Sequence, residues 1–236
     1  MSHLYIKIWA KINVFIYATA IDAKSTALAI EPASELKAGG ERRDALPVED
    51  QVGRAARAAI LVEGWSDQAA LEALARRRGR DLRAEGIVVV PIGGATNLQR
   101  FVQALGPQGL GLRLTGLCDI AEIRHVRGLE EAGVAADERI EDHGFYACDA
   151  DLEDELIRAL GTAAVERVLG AEGELASFRR FQEQPARRGR DLKAQLRRFL
   201  GTRAGRKVRY GTLLVDALEL DRVPPALDLA LARVHA

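Results

Sequence analysis

Two cysteines and a single methionine in 236 residues leave no basis for a disulfide framework. Cys118 and Cys148 lie inside apolar runs without Cys-x-x-Cys spacing, which excludes a thiolate zinc site and reads as two small core residues of a cytoplasmic, reducing environment. The four histidines, His3, His125, His143 and His235, are scattered without metal-ligand spacing. Net charge is absent too: 34 basic and 34 acidic residues cancel, so no global field draws the chain to nucleic acid or membrane. No apolar run approaches the roughly 20 residues that a bilayer span requires, and no membrane partner is expected. No Gly-x-x-x-x-Gly-Lys-Ser/Thr stretch occurs, so nothing in the chain can cradle a nucleotide in the P-loop manner.

Arginine, abundant elsewhere, is missing from the first 41 residues, while "LYIKIWAKINVFIYATAI" holds four of the twelve aromatics. Residues 12 to 21 have the length and apolarity of a signal-peptide core but also the β-branched and aromatic content of a strand. With Gly39-Gly40 and "ERRDALPVED" as linker, residues 1–50 are expected to form a weakly ordered extension.

From residue 51 the pattern becomes regular. "AAILV" (58–62), "GIVVVPI" (86–92), "LRLTGLC" (112–118) and "GFYAC" (144–148) are short apolar runs bounded by glycine or acid, the signature of buried strands. Helical patterns separate them: 66–79, "NLQRFVQALG", "EIRHVRGLEEAG" and "DLEDELIRALG". Strands alternating with helices of this length imply βαβ crossovers, hence an α/β domain with a parallel sheet over residues 51–160. From Gly161 only helical patterns remain, so residues 161–236 read as a small all-α, arginine-rich C-terminal lobe.

Acids punctuate this scheme. Glu63 ends the first strand, Asp119 the third and Asp149 the fourth. Ligands of open parallel sheets bind outside the carboxyl ends of the strands, so these acids share an edge. Their mutual repulsion is costly unless a cation is present, and an all-oxygen set suits Mg²⁺ or Mn²⁺. Asp149 alone is adequately explained as a helix cap. Glu63, followed by Gly64 in a tight turn, is not. Charge is also segregated further on: nine acids against one base from Asp137 to Glu155, then twelve bases against two acids from Ala176 to Tyr210. The basic stretch could bind phosphate or could simply be solvated helix surface.

"LVEGWSDQAALEALA", "VVVPIGGATNLQRFVQAL", "LTGLCDIAE" and "ACDADLEDEL", in that order over residues 55 to 160, resemble the TOPRIM domain shared by bacterial primases, topoisomerases and the overcoming-lysogenization-defect (OLD) nucleases, the last most closely. The resemblance implies a Rossmann-like parallel sheet and a divalent-metal-dependent nucleotidyl transferase or endonuclease. It makes Glu63 a metal ligand or general acid/base, Asp67 a second acid one helical turn on, and Asp119 the first aspartate of an Asp-x-Asp pair. The second is replaced by Ala121, with Glu122 the next acid. Asp151 and Glu153 correspond to the late acidic pair, and Lys207 to a lysine beside the scissile phosphate. Arg203, Arg206, Lys207 and Arg209 are the expected nucleic-acid contacts, with DNA favoured over RNA. The ATPase half of larger relatives is not in this chain, which leaves room for a separate ATPase partner and for a homo-oligomer. Two other readings stand beside this one. An inactive TOPRIM fold would bind nucleic acid or a partner ATPase, for which Ala121 argues, and an unrelated doubly wound phosphatase would use Asp119 differently.

Overall fold

The computed structural model describes residues 56–126, 139–203 and 205–234. The chain divides into two units, Met1–Asp44 and Ala45–Ala236. The described residues all belong to the second, so the expected N-terminal extension and most of the helix expected over 122–133 lie outside them.

Four strands form one parallel sheet: β1 (Ala58–Val62), β2 (Ile87–Pro91), β3 (Arg113–Asp119) and β4 (Phe145–Cys148), in the order β2-β1-β3-β4. β1 is central and buried along its whole length, which is why it reads as an unbroken apolar run. Its register places Ala58 opposite Ile87 on one side and Arg113 on the other.

Helix α1 (Trp65–Arg77) follows β1, and α2 (Leu98–Leu105) follows β2 after a short 3₁₀ turn at Ala95–Asn97. They cover opposite faces of the sheet. Ile60 and Val62 join Ala70, Leu71 and Leu74 of α1 in one cluster, whereas Ala59 and Leu61 join Leu98, Phe101, Val102 and Leu105 of α2 in the other. The chain therefore goes out from β1 to β2, then crosses back to β3 over the other face. This makes the β1/β3 junction the topological switch point, where a crevice opens at the carboxyl edge.

The remaining helices are α3 (Ile123–Val126), α4 (Leu152–Leu160), α5 (Thr162–Ala171), α6 (Leu175–Gln182), α7 (Leu192–Leu200), α8 (Arg206–Ala217) and α9 (Pro225–Arg233). Those from α4 onward form the all-α part and join the α1 side of the core through Leu156, Leu169, Phe178, Leu196, Leu214, Leu227 and Leu231. α8 lies hard against α1. A Cβ on Gly211 would sit 2.6 Å from the Ser66 carbonyl oxygen, so only glycine permits this approach. At the other end Arg77 Nη1 donates to the carbonyls of Val215 (2.7 Å) and Leu218 (2.5 Å), satisfying acceptors at the end of α8.

α8 begins at Arg206, not at Thr212 where its apolar pattern becomes plain. The buried positions are Arg206, Tyr210, Gly211, Leu214 and Val215, a helical stripe whose first member is charged and whose third has no side chain. Cys118 and Cys148 are buried, as their settings imply. Burial, followed by the nearby Glu63 carboxylate, pushes the Cys118 thiol up to about 12, and Cys148 is raised as well, so neither is reactive near neutrality.

Candidate functional site

Parallel strands that stop in register deliver their next residues to one edge. Glu63 follows β1 directly, and Asp119 is the last residue of the neighbouring β3. The Asp119 backbone N–H donates to Glu63 Oε1 at 3.2 Å, tying the two strand ends together. The Glu63 carbonyl in turn accepts from the amides of Gly93 (3.0 Å) and Gly94 (3.2 Å), so the Gly-Gly turn after β2 closes against the same point. Both glycines have positive φ, a geometry that larger residues would strain.

Asp67 enters from the first turn of α1, where its Oδ2 accepts from Gly64 N–H at 2.9 Å. This bond fixes the βα turn, but the carboxylate is otherwise poorly placed as an anion. Burial, then Glu153 and also Glu63, pushes Asp67 up to about 7 despite the amide that stabilises its charge. Asp119 is likewise pushed up to about 7, by burial first, then by Glu63, Asp151, Asp67 and Glu153. The five acids Glu63, Asp67, Asp119, Asp151 and Glu153 thus act on one another across the edge of the switch point.

α4 supplies the last two. Asp151 is its N-cap, its Oδ1 accepting from Asp154 N–H at 2.8 Å, while Oδ2 pairs with Arg197 at 2.7 Å. Glu153, 5 % exposed, pairs through Oε2 with Lys207 Nζ at 2.9 Å, and its Oε1 is buried without a hydrogen-bond partner. Burial by itself lowers the Lys207 ammonium, but Glu153, with Asp151 and Asp67, more than offsets this and holds it above its ordinary value. Lys207 reaches the site because α8 is seated against α1 at Gly211, one helical turn further on.

The other expected residues are distributed less uniformly. Asp149 is exposed and pairs with Arg158 at 3.1 Å, outside the cluster; the cap of α4 is Asp151. Ala121 and Glu122 sit in a 3₁₀ turn (Ile120–Glu122) directly after β3, Ala121 exposed and Glu122 half-buried. Arg203 is exposed just before α8.

Arg206 corrects the sequence reading. It is buried, its Nε lies 2.8 Å from Glu174, its Nη1 donates to the Phe199 carbonyl at 3.0 Å, and its guanidinium stacks 4.0 Å above the Phe199 ring. A guanidinium committed in this way is a core element and cannot also grip a phosphate. Arg209 is half exposed but paired with Glu172 and, at 3.8 Å, with Glu174.

Two residues that the sequence did not single out belong at the margin of the site: Arg197, on Asp151, and Lys193, 3.1 Å from Asp154. Their i, i+4 spacing on α7 matches the i, i+3 spacing of Asp151 and Asp154 on α4. That complementarity is readable in sequence only once the two helices are known to be neighbours.

The donors suit a divalent cation. All are oxygens, two carry pKa values raised by burial first and then by repulsion from the other carboxylates, and one buried carboxylate oxygen has no hydrogen-bond partner. Among the described residues no three of these groups are drawn together closely enough to hold a metal ion unaided.

Residues 56–120 match the family described as overcoming lysogenization defect protein-like, TOPRIM domain. The C-terminal region of the Xanthomonas campestris pv. campestris OLD protein superposes with a TM-score of 0.57 at 26 % identity, covering 76 % of this chain and 92 % of that one. The C-terminal region of the Burkholderia pseudomallei OLD protein gives a TM-score of 0.56 over 76 % of this chain and 97 % of that one; at 21 % identity it supports the fold. No curated protein sequence matches the chain significantly. Residues 56–120, which carry β1 to β3 with Glu63 and Asp119 at the carboxyl edge, thus match an OLD-like TOPRIM domain, and the fold around them is similar to the C-terminal region of OLD proteins.

Proposed function

We propose that the chain is a divalent-metal-dependent phosphodiester hydrolase acting on nucleic acid, with Glu63, Asp67, Asp119, Asp151 and Glu153 around the cation site and Lys207 at the phosphate. The observation that carries this reading is the concentration of half-buried, mutually repelling carboxylates, with the buried Glu153 among them, at the switch point. Such a cluster destabilises an empty fold and is supported by a bound cation. Mg²⁺ or Mn²⁺ bound there supplies Lewis acidity toward a phosphoryl oxygen and toward water.

The residues divide the remaining work. Glu63, tied to the Asp119 amide, has one carboxylate oxygen held and the other available as ligand or proton acceptor. Glu153 holds Lys207 in place, so that its ammonium can stabilise charge developing on the phosphoryl oxygens. Asp151, clamped by Arg197, is kept at the mouth rather than drawn inward. Glu122 is the nearest acid in sequence to the missing Asp-x-Asp partner, and we assign it an outer, water-bridged place.

Phosphates of the substrate meet Arg203 and Lys207 on the exposed side of the α7–α8 junction. Arg209 contributes only where phosphate displaces Glu172. DNA is preferred as substrate, and a separate ATPase or a second copy of the chain could assemble with it.

The test compares wild type with Glu63→Gln, which keeps size but removes the charge. Plasmid nicking with Mn²⁺ and fluorescent-DNA binding are measured side by side. Nicking abolished with binding retained supports the proposal; equal nicking by both proteins contradicts it. A wild type that binds without nicking in either metal favours the inactive TOPRIM reading, for which the acid-free, exposed Ala121 is the supporting observation.

A further inference from the structure

Large apolar side chains exposed among the described residues number five: Trp65, Leu110, Ile120, Leu220 and Leu229. Two of the five stand at the carboxyl edge of the sheet. Trp65, 45 % exposed, follows Glu63 by two residues, and Ile120, 52 % exposed, follows Asp119 by one. β1 and β3 are adjacent and paired in parallel, so these two positions leave neighbouring strand ends together. Trp65 is also the first residue of α1, whose register is fixed by the Gly64–Asp67 bond and by the close seat of Ser66 against Gly211. A backbone fixed at this point leaves the Trp65 side chain fewer degrees of freedom to lose when it receives a ligand.

We infer that Trp65, with Ile120 after the neighbouring strand end, is a stacking platform for an unpaired nucleobase next to the phosphate cleaved at the carboxylate site. This rests on the phosphodiesterase reading above and deepens it by naming the substrate class: a strand whose base at the reacting step is free of its partner, as in a single-stranded stretch, a flap or a frayed end. The chemistry favours a base over an apolar protein surface. An aromatic face beside a strongly anionic edge suits a ligand that carries a flat π-system and, a few bonds away, an anionic oxygen for the cation the edge attracts. A nucleotide has both. A base inside a duplex is already covered on its two faces and cannot use the platform without being unstacked. Base–aromatic stacking tolerates any sequence, so the platform selects strand state rather than base identity.

The test uses the full chain in a Trp9→Phe background, which leaves Trp65 as its one tryptophan. With Ca²⁺ in place of Mn²⁺, oligothymidylate and a duplex closed by hairpins at both ends are titrated while indole fluorescence and anisotropy are followed. Oligothymidylate should quench Trp65 and the closed duplex should not. Trp65→Ala should lose about ten-fold in affinity for oligothymidylate, with affinity for the closed duplex unchanged and the melting temperature retained, while Trp65→Phe recovers most of the loss.

Absence of quenching, equal losses on both ligands, or a Trp65→Ala variant indistinguishable from wild type overturns the platform; equal losses would mark Trp65 as part of a protein-covered or structural surface. The Glu63→Gln variant, run in parallel, separates the two claims. If wild type never cleaves but single strands still quench Trp65, the phosphodiesterase reading fails and the platform stands. If Glu63→Gln abolishes cleavage while Trp65→Ala changes nothing, the platform fails alone.

Discussion

Carboxylates occur at high density in two regions of this molecule, and they are treated in opposite ways. In the helical part several acids are matched with bases: Glu166 pairs with Arg179, Glu172 with Arg209, Glu174 with Arg206, and Asp154 with Lys193 and Arg158. At the sheet edge, Asp67 and Asp119 have no ion-pair partner among the described residues and feel mainly other carboxylates. Only the outer members, Asp151 and Glu153, are met by Arg197 and Lys207. The acidic and basic runs that look so separate in sequence meet in three dimensions at Asp151, Glu153 and Asp154, which pair with Arg197, Lys207 and Lys193. What is left over is a negative edge at the β1/β3 switch point. Charge balance, rather than charge count, separates the paired acids of the helices from Asp67 and Asp119 at the sheet edge.

Breaking the balanced region should have the largest effect on stability. Arg206→Ala removes a buried guanidinium from Glu174, the Phe199 carbonyl and the Phe199 ring, and leaves the half-buried Glu174 carboxylate only the 3.8 Å contact with Arg209. A loss of about 3–5 kcal/mol is expected, read by urea denaturation. Unchanged stability would mean that Arg206 is a surface group after all.

Gly211→Ala comes next. The new methyl group meets the Ser66 carbonyl at 2.6 Å, so α8 must withdraw from α1 and carry Lys207 with it. Destabilisation of about 1–3 kcal/mol is expected. Nicking should fall by more than the folded fraction explains, because the lysine is displaced from Glu153.

The unbalanced edge should respond with the opposite sign. Asp67 and Asp119 titrate near 7 in the folded protein against an ordinary aspartate value of 3.8. Below about pH 4 both states hold the protons and these groups contribute nothing. Between there and pH 7 the unfolded chain releases protons that the fold retains, so metal-free stability declines, and above 7 the full penalty is present. Asp119→Asn, which cannot ionise, should therefore raise the metal-free melting temperature at pH 7.5 by about 2–4 °C and weaken the dependence on pH, as measured by thermal denaturation in EDTA. A melting temperature lowered by this change would show that the carboxylate is structurally compensated.

The smallest effect belongs to Arg203. Arg203→Ala should lower the slope of log affinity against log salt by about one, with little change in stability, in contrast to Arg206→Ala three residues away. Equal salt slopes for wild type and variant would move the phosphate surface elsewhere.

Much of this was legible in the sequence because buried parallel strands cannot disguise themselves. "AAILV" and "IVVVP" carry no polar residue to suggest another environment, and the acids or glycines that follow mark their ends. Glu63 stood out because it breaks an apolar run where a poor helix cap gains nothing from being there. The basic stretch was harder. Composition counts Arg206 as surface, since nothing in one dimension reveals that Phe199 and Glu174 enclose it. The start of α8 was hidden for a related reason: Arg206 and Gly211 occupy stripe positions that apolar periodicity does not recognise. Lys207 was reached only through resemblance. Its physical cause, the glycine-mediated seat of α8 on α1, is a tertiary contact between segments more than a hundred residues apart.

The central claim is that the switch-point carboxylates form an uncompensated site that a divalent cation completes. Its most direct test is a melting-temperature titration with Mn²⁺ at pH 7.5, in wild type and in a Glu63→Gln, Asp119→Asn double variant. Wild type should rise by several degrees, saturably and reversibly with EDTA, because a ligand that binds only the folded state stabilises it by mass action. The double variant should start higher and rise little. A wild type that gains nothing from Mn²⁺, or a variant that gains as much as wild type, would contradict the account.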